Sequence, residues 1–333
     1  MTRRILAVLL ACLAESSVAH GQVAAVEVRQ GGGVSSESIS AAGTQLRVLG
    51  EPLAGLRFDF EGSYGVRFGD GKSDVFGTAY PYGGRAALIE AYAEYFLPAG
   101  LGLRSLKAGR YRTPFGISAG SEHAYVGFLR PPLIRYGEYY ALSAGYLEHG
   151  LDVVVGAPQL SVEVSLGRPG DVGGAIRRPG LDTVARAEAS VKSLVVGASF
   201  LDTTPYLPAR FARGRSRFGG VDLRWMQSGV QVRGEWIAGQ PFEGTSTTGG
   251  YADLLVHRPV MGPLTALARA ERLDYNTTSP FALHTHRYEA GVRVRVWQGL
   301  SASIAVAHQG GQVTQSRRTA VDVGVSYAVR KDY

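Results

Sequence analysis

The sequence predicts an all-β protein, a transmembrane antiparallel β-barrel of about 16 strands with short periplasmic turns and long extracellular loops. Three observations predict it: apolar and polar residues alternate along many segments, the connections between these segments alternate between tight and long, and the first residues are typical of an export signal. No stretch has the roughly 18 consecutive apolar residues of a transmembrane helix. A membrane role therefore has to come through strands.

The N-terminal residues 1–21 are typical of a signal peptide. Arg3 and Arg4 form a basic start, a short apolar run follows, and a small-residue cleavage site lies at 19–21. We therefore expect the mature protein to be a single barrel over residues 22–333, because no linker or change in composition divides the rest of the chain.

Alternation is clearest in the C-terminal segment. One face carries Val321, Val323, Val325, Tyr327 and Val329, and the other carries small and charged residues. Successive side chains of a strand face opposite sides, so this segment has one face for lipid and one for a wet lumen. The same pattern recurs over 56–68, 230–238 and 287–296. A soluble sandwich also alternates, but large aromatic residues near the ends of these stripes favour a membrane interface.

The connections fall into two classes that alternate along the chain. The tight ones are at 298–299, 260–263, 227–229, 191–193, 157–158 and 98–102, and the long ones are at 310–318, 276–284, 241–249, 203–216, 168–180, 116–144 and 69–84. Counting back to a weak first strand at 24–29 gives about 16 strands, and 14 or 18 remain open because 30–44 is rich in Gly and Ser. Barrels of this size leave an aqueous channel.

The longest connection, loop 116–144, is long enough to call for a functional reason. We hypothesise that it folds into the lumen, narrows it and presents Arg130 and Arg135 to solutes. The alternative is an extracellular flap whose aromatic residues pack on the rim of the barrel.

Arginine dominates the polar faces of the strands, and the net charge of +7 comes almost wholly from it. Guanidinium stays charged and matches carboxylate or phosphate oxygens, and rings of such groups favour anions in a pore. A structural ion pair with a carboxylate on the same face is the alternative for each arginine. The predicted pore-lining residues on strands are Arg57, Arg67, Arg233, Arg293 and Arg295 by alternation, together with Arg110 and Arg112, which share the parity of apolar Leu106 and Ala108.

Three short motifs resemble the phosphate-selective porins O and P and related outer-membrane porins. They are the stretch 107–116 (KAGRYRTPFG), the Arg130-Pro131-Pro132 sequence and the stretch 234–237 (GEWI). The resemblance implies a 16-stranded, usually homotrimeric channel for small anionic or polar solutes, with its third long loop as the constriction, and loop 116–144 is third in our count. Those channels use lysine at the binding zone, whereas this chain has very few lysines, so the resemblance does not carry phosphate specificity.

We therefore predict an outer-membrane porin of a Gram-negative-type bacterium that lets small hydrophilic solutes diffuse passively, with a modest anion preference. The alternatives are a structural or adhesive barrel with a closed lumen and a barrel hydrolase. No catalytic, metal or cofactor site is predicted. His284 and His286 share a strand face but lack a third ligand of clear spacing.

The expected partners follow from this prediction. They are outer-membrane lipid, the solutes, a homotrimer and the barrel-assembly machinery, for which a terminal aromatic strand is the usual signal by family resemblance. Nucleic acid is not expected, because the arginines alternate with apolar residues and form no contiguous basic patch in the sequence. The alanines at 266, 268 and 270 are a candidate subunit contact.

Overall fold

Sixteen antiparallel strands form a closed barrel in sequence order, and β1 pairs with β16 to complete it. The computed structural model describes residues 22–69, 85–97, 102–117, 127–135, 147–170, 180–205, 214–257, 262–277, 283–311 and 319–332. The strands are β1 (Gln22–Ser35), β2 (Ile39–Leu53), β3 (Leu56–Phe68), β4 (Arg85–Phe96), β5 (Leu103–Arg112), β6 (Leu147–Ala157), β7 (Leu160–Gly170), β8 (Asp182–Val191), β9 (Leu194–Thr203), β10 (Ser216–Gln227), β11 (Val230–Gln240), β12 (Thr245–Val256), β13 (Leu264–Thr277), β14 (Leu283–Trp297), β15 (Leu300–Gly311) and β16 (Thr319–Asp332). A 3-10 helix occupies Leu133–Arg135. Across these ranges, no helix is long and apolar enough to span a membrane.

The alternation of β16 separates the two faces of the barrel wall as predicted. Val321, Val323 and Val325 are exposed on the outer surface, whereas Asp322 between them is 1% exposed inside. Other strands repeat the pattern, so large apolar side chains cover much of the outside. An outer surface of this kind suits a hydrocarbon environment, and closure leaves no strand edge unpaired there.

The short turns are confirmed where the structure describes them. Two residues join β8 to β9, β10 to β11 and β14 to β15. Positive φ angles at Lys192 (54°), Ser228 (50°) and Gly229 (77°) are those of the left-handed region, which two-residue hairpins use because it matches the twist of their strands. The predicted turns at 98–102 and 260–263 lie largely outside the described residues.

The count of 16 strands is confirmed, but the first hairpin differs from the prediction. β1 is longer than the predicted strand at 24–29, and the Gly- and Ser-rich stretch 30–44, which left the count open, is paired strand except for the turn at 36–38. Backbone hydrogen bonds form the ladder whatever the side chains, and β1 has a neighbour on both sides because the barrel closes on it. The connections after β11 and β13 are also shorter than 241–249 and 276–284, because the flanking strands extend into them.

Candidate functional site: a lumen narrowed by a bound segment

The chain turns into the lumen after β5 and returns along its inner wall. Phe115, Leu133 and Ile134 are buried inside the barrel. They form one apolar cluster with inward-facing residues of the wall, namely Val184, Leu201, Phe218, Ile237, Tyr251 and Leu273. The part of loop 116–144 that the structure describes at 127–135, here called the lumen segment, therefore lies inside the barrel as hypothesised. Residues 118–126 and 136–144 of that loop lie outside the described residues.

A buried ion pair fixes one end of the lumen segment. Arg135 donates from Nε to Glu235 Oε2 (2.9 Å) and from Nη2 to Glu235 Oε1 (2.6 Å), which is bidentate geometry. The backbone N–H of Ile117 donates to the same carboxylate (2.7 Å). Burial by itself lowers the pKa of Arg135, but the neighbouring Glu235 more than offsets it and the net shift is upward. The guanidinium of Arg135 therefore keeps its charge.

A second buried cluster fixes the other end. Arg130 donates from Nε to Asp322 Oδ2 (2.7 Å) on β16 and from Nη2 to Glu37 (3.1 Å) in the turn between β1 and β2. Leu129 lies against β16 at Gly324, where an added Cβ would come within 2.8 Å of the leucine Cδ2. Leu129 therefore packs closely on the inner face of β16.

Between the two ends, the strand wall binds the backbone of the lumen segment. Arg269 donates to the carbonyl of Arg130 (2.8 Å), Arg287 donates to the carbonyl of Pro131 (2.5 Å), and the N–H of Leu133 donates to Glu271 (2.6 Å). Arg269 also stacks over Phe128, with Cζ 4.1 Å from the ring centroid. The segment is thus held by several charge-assisted hydrogen bonds, which are stronger than neutral ones.

These contacts correct one expectation about Arg130 and Arg135. Both lie in the lumen, but they are 1% and 2% exposed, so they are not presented to solutes. The reason is that Asp322, Glu37 and Glu235 neutralise them against the wall, and burying an unpaired guanidinium would be costly.

Four of the other predicted arginines, on strands β3, β5 and β11, lie inside, and three of them have carboxylate partners. Arg233 is buried and donates to Asp253 (2.9 Å). Arg57 pairs with Glu94, and 38% of its side chain is exposed. Arg112 bridges Glu61 (2.7 Å) and Glu90 (2.5 Å). Arg67 is half-buried on the inward parity of β3. The first three make the ion pairs that were the alternative to a solute-binding role.

Arg110 does not line the pore, and that prediction is corrected. It shares the outward parity of Leu106 and Ala108 on β5, which are exposed on the outer surface. Its guanidinium Nη1 lies 2.7 Å from Nε2 of His149, also on the outer face. Arg112 has the same parity as Arg110 but reaches inward, because it is the last residue of β5, where the chain turns into the lumen.

Arg293 and Arg295 have a different setting. Both face inward on β14, Arg293 half-buried and Arg295 exposed. The residues beside them on the neighbouring strands carry hydroxyl groups: Thr265 and Ser303 flank Arg293, and Ser301 pairs with Arg295. Arg293 donates to Ser301 Oγ (3.1 Å). This part of the lumen wall is positive and hydroxyl-lined.

Several charged groups of the lumen were not predicted. Arg47 donates to Asp59 (2.9 Å), and Lys107 pairs with Asp152 (3.3 Å) and Glu163 (3.4 Å). They lie on β2, β3 and β5–β7, in the arc of wall that faces the lumen segment across the barrel. The inward direction of Lys107 could have been predicted from the sequence, because its parity on β5 is opposite to that of Arg110. The inward direction of Arg47 could be predicted only if β2 was recognised as a strand.

The fold and the lumen define a porin-like barrel of 16 strands. Solved structures similar to this chain include OmpTdeltaL8, a loop L8 deletion mutant of the outer membrane protein OmpT of Vibrio cholerae, at 10% identity and a TM-score of 0.61 over 93% of this chain and 100% of that chain. Salmonella typhi OmpF in complex with daunomycin matches at 11% identity and a TM-score of 0.60, over 93% of this chain and 97% of that one. The anion-selective porin from Comamonas acidovorans matches at 10% identity and a TM-score of 0.60, over 93% and 100%.

At these identities the likeness shows the fold alone. No protein-family model matches the chain, and no curated protein matches it. The resemblance to the phosphate-selective porins is therefore not confirmed, although the neighbours include porins.

Proposed function

We propose that this protein is an outer-membrane porin of a Gram-negative-type bacterium, through which small hydrophilic solutes diffuse with a modest preference for anions. The observation that carries the anion preference is the pair Arg293 and Arg295, inward on β14 with hydroxyl residues beside them. The surroundings of Arg295 differ from those of Arg130, Arg135 and Arg233, whose charge is neutralised by buried carboxylates.

The mechanism is diffusion through water biased by fixed charge. The solute path runs between the lumen segment and the facing wall of β2–β7, because the segment is bound to the other side of the barrel. Two unit charges about 4 Å apart in water interact by about 1 kcal/mol, which is roughly fivefold in local concentration. A preference of that size is modest and weakens as salt screens the arginines.

We propose no enzymatic step and no bound metal or cofactor. The histidines His284 and His286 lie on the outer face of β14, and His284 Nδ1 lies 2.9 Å from Asp274 Oδ1. That arrangement is a surface hydrogen bond among polar residues near the loop end of the barrel.

We also propose that the protein assembles as a homotrimer. A neighbour with a TM-score of 0.56 at 8% identity is described as the trimer form of OmpT of Vibrio cholerae. On this chain, an outer groove of about 1170 Å³ lies between Trp236 and Tyr288, with Gly250, Ala252 and Ala270 among its lining. If subunits meet there, Ala270→Trp should convert the native trimer to monomer on native electrophoresis; an intact trimer would place the contact elsewhere.

Residues 1–21 and β16 complete the proposal for export and assembly. We infer that 1–21 is a signal peptide removed on export, and that β16 is the strand recognised by the barrel-assembly machinery. N-terminal sequencing of the mature protein should start near Gln22.

Conductance separates this function from the alternatives. The purified, refolded protein in a planar bilayer should give discrete conductance steps that scale with salt concentration, and the reversal potential in a salt gradient should lean towards the anion. A folded barrel without conductance would favour a closed structural or adhesive barrel, and hydrolysis of a peptide or ester substrate abolished by one Ser or His substitution would favour an enzyme.

A further inference from the structure

A row of three basic side chains crosses the outer face near the loop end of the barrel. Arg110 of β5 pairs in register with His149 of β6, which pairs with Arg168 of β7. All three share the outward parity of their strands. Because neighbouring strands lie about 4.8 Å apart, the two arginine backbones are roughly 10 Å apart. The row therefore presents two guanidinium groups around one imidazole.

The row is positioned by its hydrogen bonds. Arg110 donates from Nε to the carbonyls of Leu88 (3.0 Å) and Ile89 (3.2 Å), and its Nη1 lies 2.7 Å from His149 Nε2. Because a guanidinium has donors only, Nε2 of His149 is the acceptor of this hydrogen bond. Within the described part of the chain, Arg168 has no hydrogen-bond or ion-pair partner.

The row lies directly above the apolar outer surface of the barrel. Directly beneath it in register lie Ala108, Leu151 and Leu166, all exposed on the outer face. Two residues of a strand span about 7 Å, so the basic row begins one step above the apolar band. At the loop end of a membrane barrel, that height is the headgroup region of the outer leaflet.

We infer that Arg110, His149 and Arg168 bind the phosphate group of an anionic lipid of the outer leaflet, whose acyl chains lie on Ala108, Leu151 and Leu166. Guanidinium groups donate to phosphate oxygens, and Arg168 can do so in a bidentate way, whereas Nε and Nη1 of Arg110 already bind the carbonyls of β4 and His149. Positive side chains next to an apolar surface complement a lipid that carries both a phosphate and acyl chains. This site is on the outside of the barrel and is independent of conduction through the lumen.

The test measures lipid binding to the detergent-solubilised full-length barrel by native mass spectrometry. The probes are didecanoyl phosphatidic acid, didecanoylglycerol with the same chains and no phosphate, and inorganic phosphate. Phosphatidic acid should bind at least about tenfold more tightly than didecanoylglycerol, and inorganic phosphate should not displace it. Arg110→Gln with Arg168→Gln should weaken phosphatidic acid binding roughly thirtyfold, from a roughly fivefold contribution of each arginine.

The matched control is Arg215→Gln with Arg217→Gln. These arginines lie near the loop end on β10 and just before it, but both pair with Asp202 (2.5 and 2.9 Å), so the control should change binding less than threefold. A shift in band position between unheated and heated samples on denaturing gels checks folding. Should the double variant fail to fold, Arg168→Gln alone should weaken binding roughly fivefold.

Three results would overturn the inference. They are binding by the Arg110/Arg168 variant within threefold of wild type, an equal loss in the control, and full displacement by inorganic phosphate. The last would identify a site for a free anion rather than a lipid.

Discussion

Replacing Glu235 by Gln should release the lumen segment from the wall. The Arg135–Glu235 pair is buried, with 3% and 1% of the two side chains exposed. Removing one partner of a buried pair costs about 3–5 kcal/mol. The glutamine keeps one carbonyl oxygen for the N–H of Ile117, so we expect the lower end, about 3 kcal/mol, for the opening of the segment.

Hydrogen exchange at Leu133 measures that opening, because its backbone N–H donates to Glu271 of the wall in the closed state. A loss of about 3 kcal/mol corresponds to exchange that is roughly a hundredfold faster.

The control for this prediction is Glu188→Gln, which removes a lumen carboxylate that is 33% exposed and bonded to Arg186 and Arg224. A partly exposed pair contributes under about 1 kcal/mol, so exchange at Leu133 should change by less than about fivefold. If Glu235→Gln gave no more acceleration than this control, the ion pair would not be what holds the segment.

Three further predictions follow from the same contacts and from the two faces of the wall. Deleting 122–139 should raise single-channel conductance in a planar bilayer, because it removes the lumen segment; unchanged conductance would show that the segment does not limit the path. Gly116→Ala should accelerate exchange at Leu133 as Glu235→Gln does, since Gly116 has a φ of 66° and an added Cβ would overlap the Glu235 carboxylate; wild-type exchange would contradict this placement. Ile304→Arg, on the outer face of β15, should lower the free energy of unfolding in vesicles by about 2–4 kcal/mol. Ser303→Arg, at the inward neighbour, should lower it by less. Equal losses of unfolding free energy in urea titrations of the two variants would refute the assignment of the faces.

Alternation predicted the sides of most strand residues correctly, because a strand has a period of two and a barrel wall has two unlike environments. β16 and the inward direction of Arg233, Arg293 and Arg295 follow from it. The prediction of side-chain direction fails where the alternation is interrupted. Arg112 ends β5 and reaches carboxylates inside, although Arg110, on the same parity, faces outward.

The contacts of the segment inside the lumen were harder to predict from the sequence than the inward direction of the strand residues. Alternation predicts nothing for Arg130 and Arg135, because they lie on no strand. Nothing in their local sequence shows that their partners are Asp322 and Glu235, which are distant in the chain. The apolar cluster around Phe115 was missed for the same reason, since inward apolar residues such as Ile237 have a partner only once the segment has folded in. Loop 116–144 was recognisable by its length, but not by its contacts.

Charge reversal at Arg293 and Arg295 tests the proposed function most directly. The measurement is the reversal potential of the refolded protein in a planar bilayer under a salt gradient, for wild type, for Arg293→Glu with Arg295→Glu, and for the outer-face control Arg215→Glu with Arg217→Glu. We predict an anion-leaning wild type, a clear shift towards cations in the lumen variant, and little change in the control. An open pore whose reversal potential is the same in all three proteins would contradict the account, because these two arginines would then not set the selectivity of the lumen.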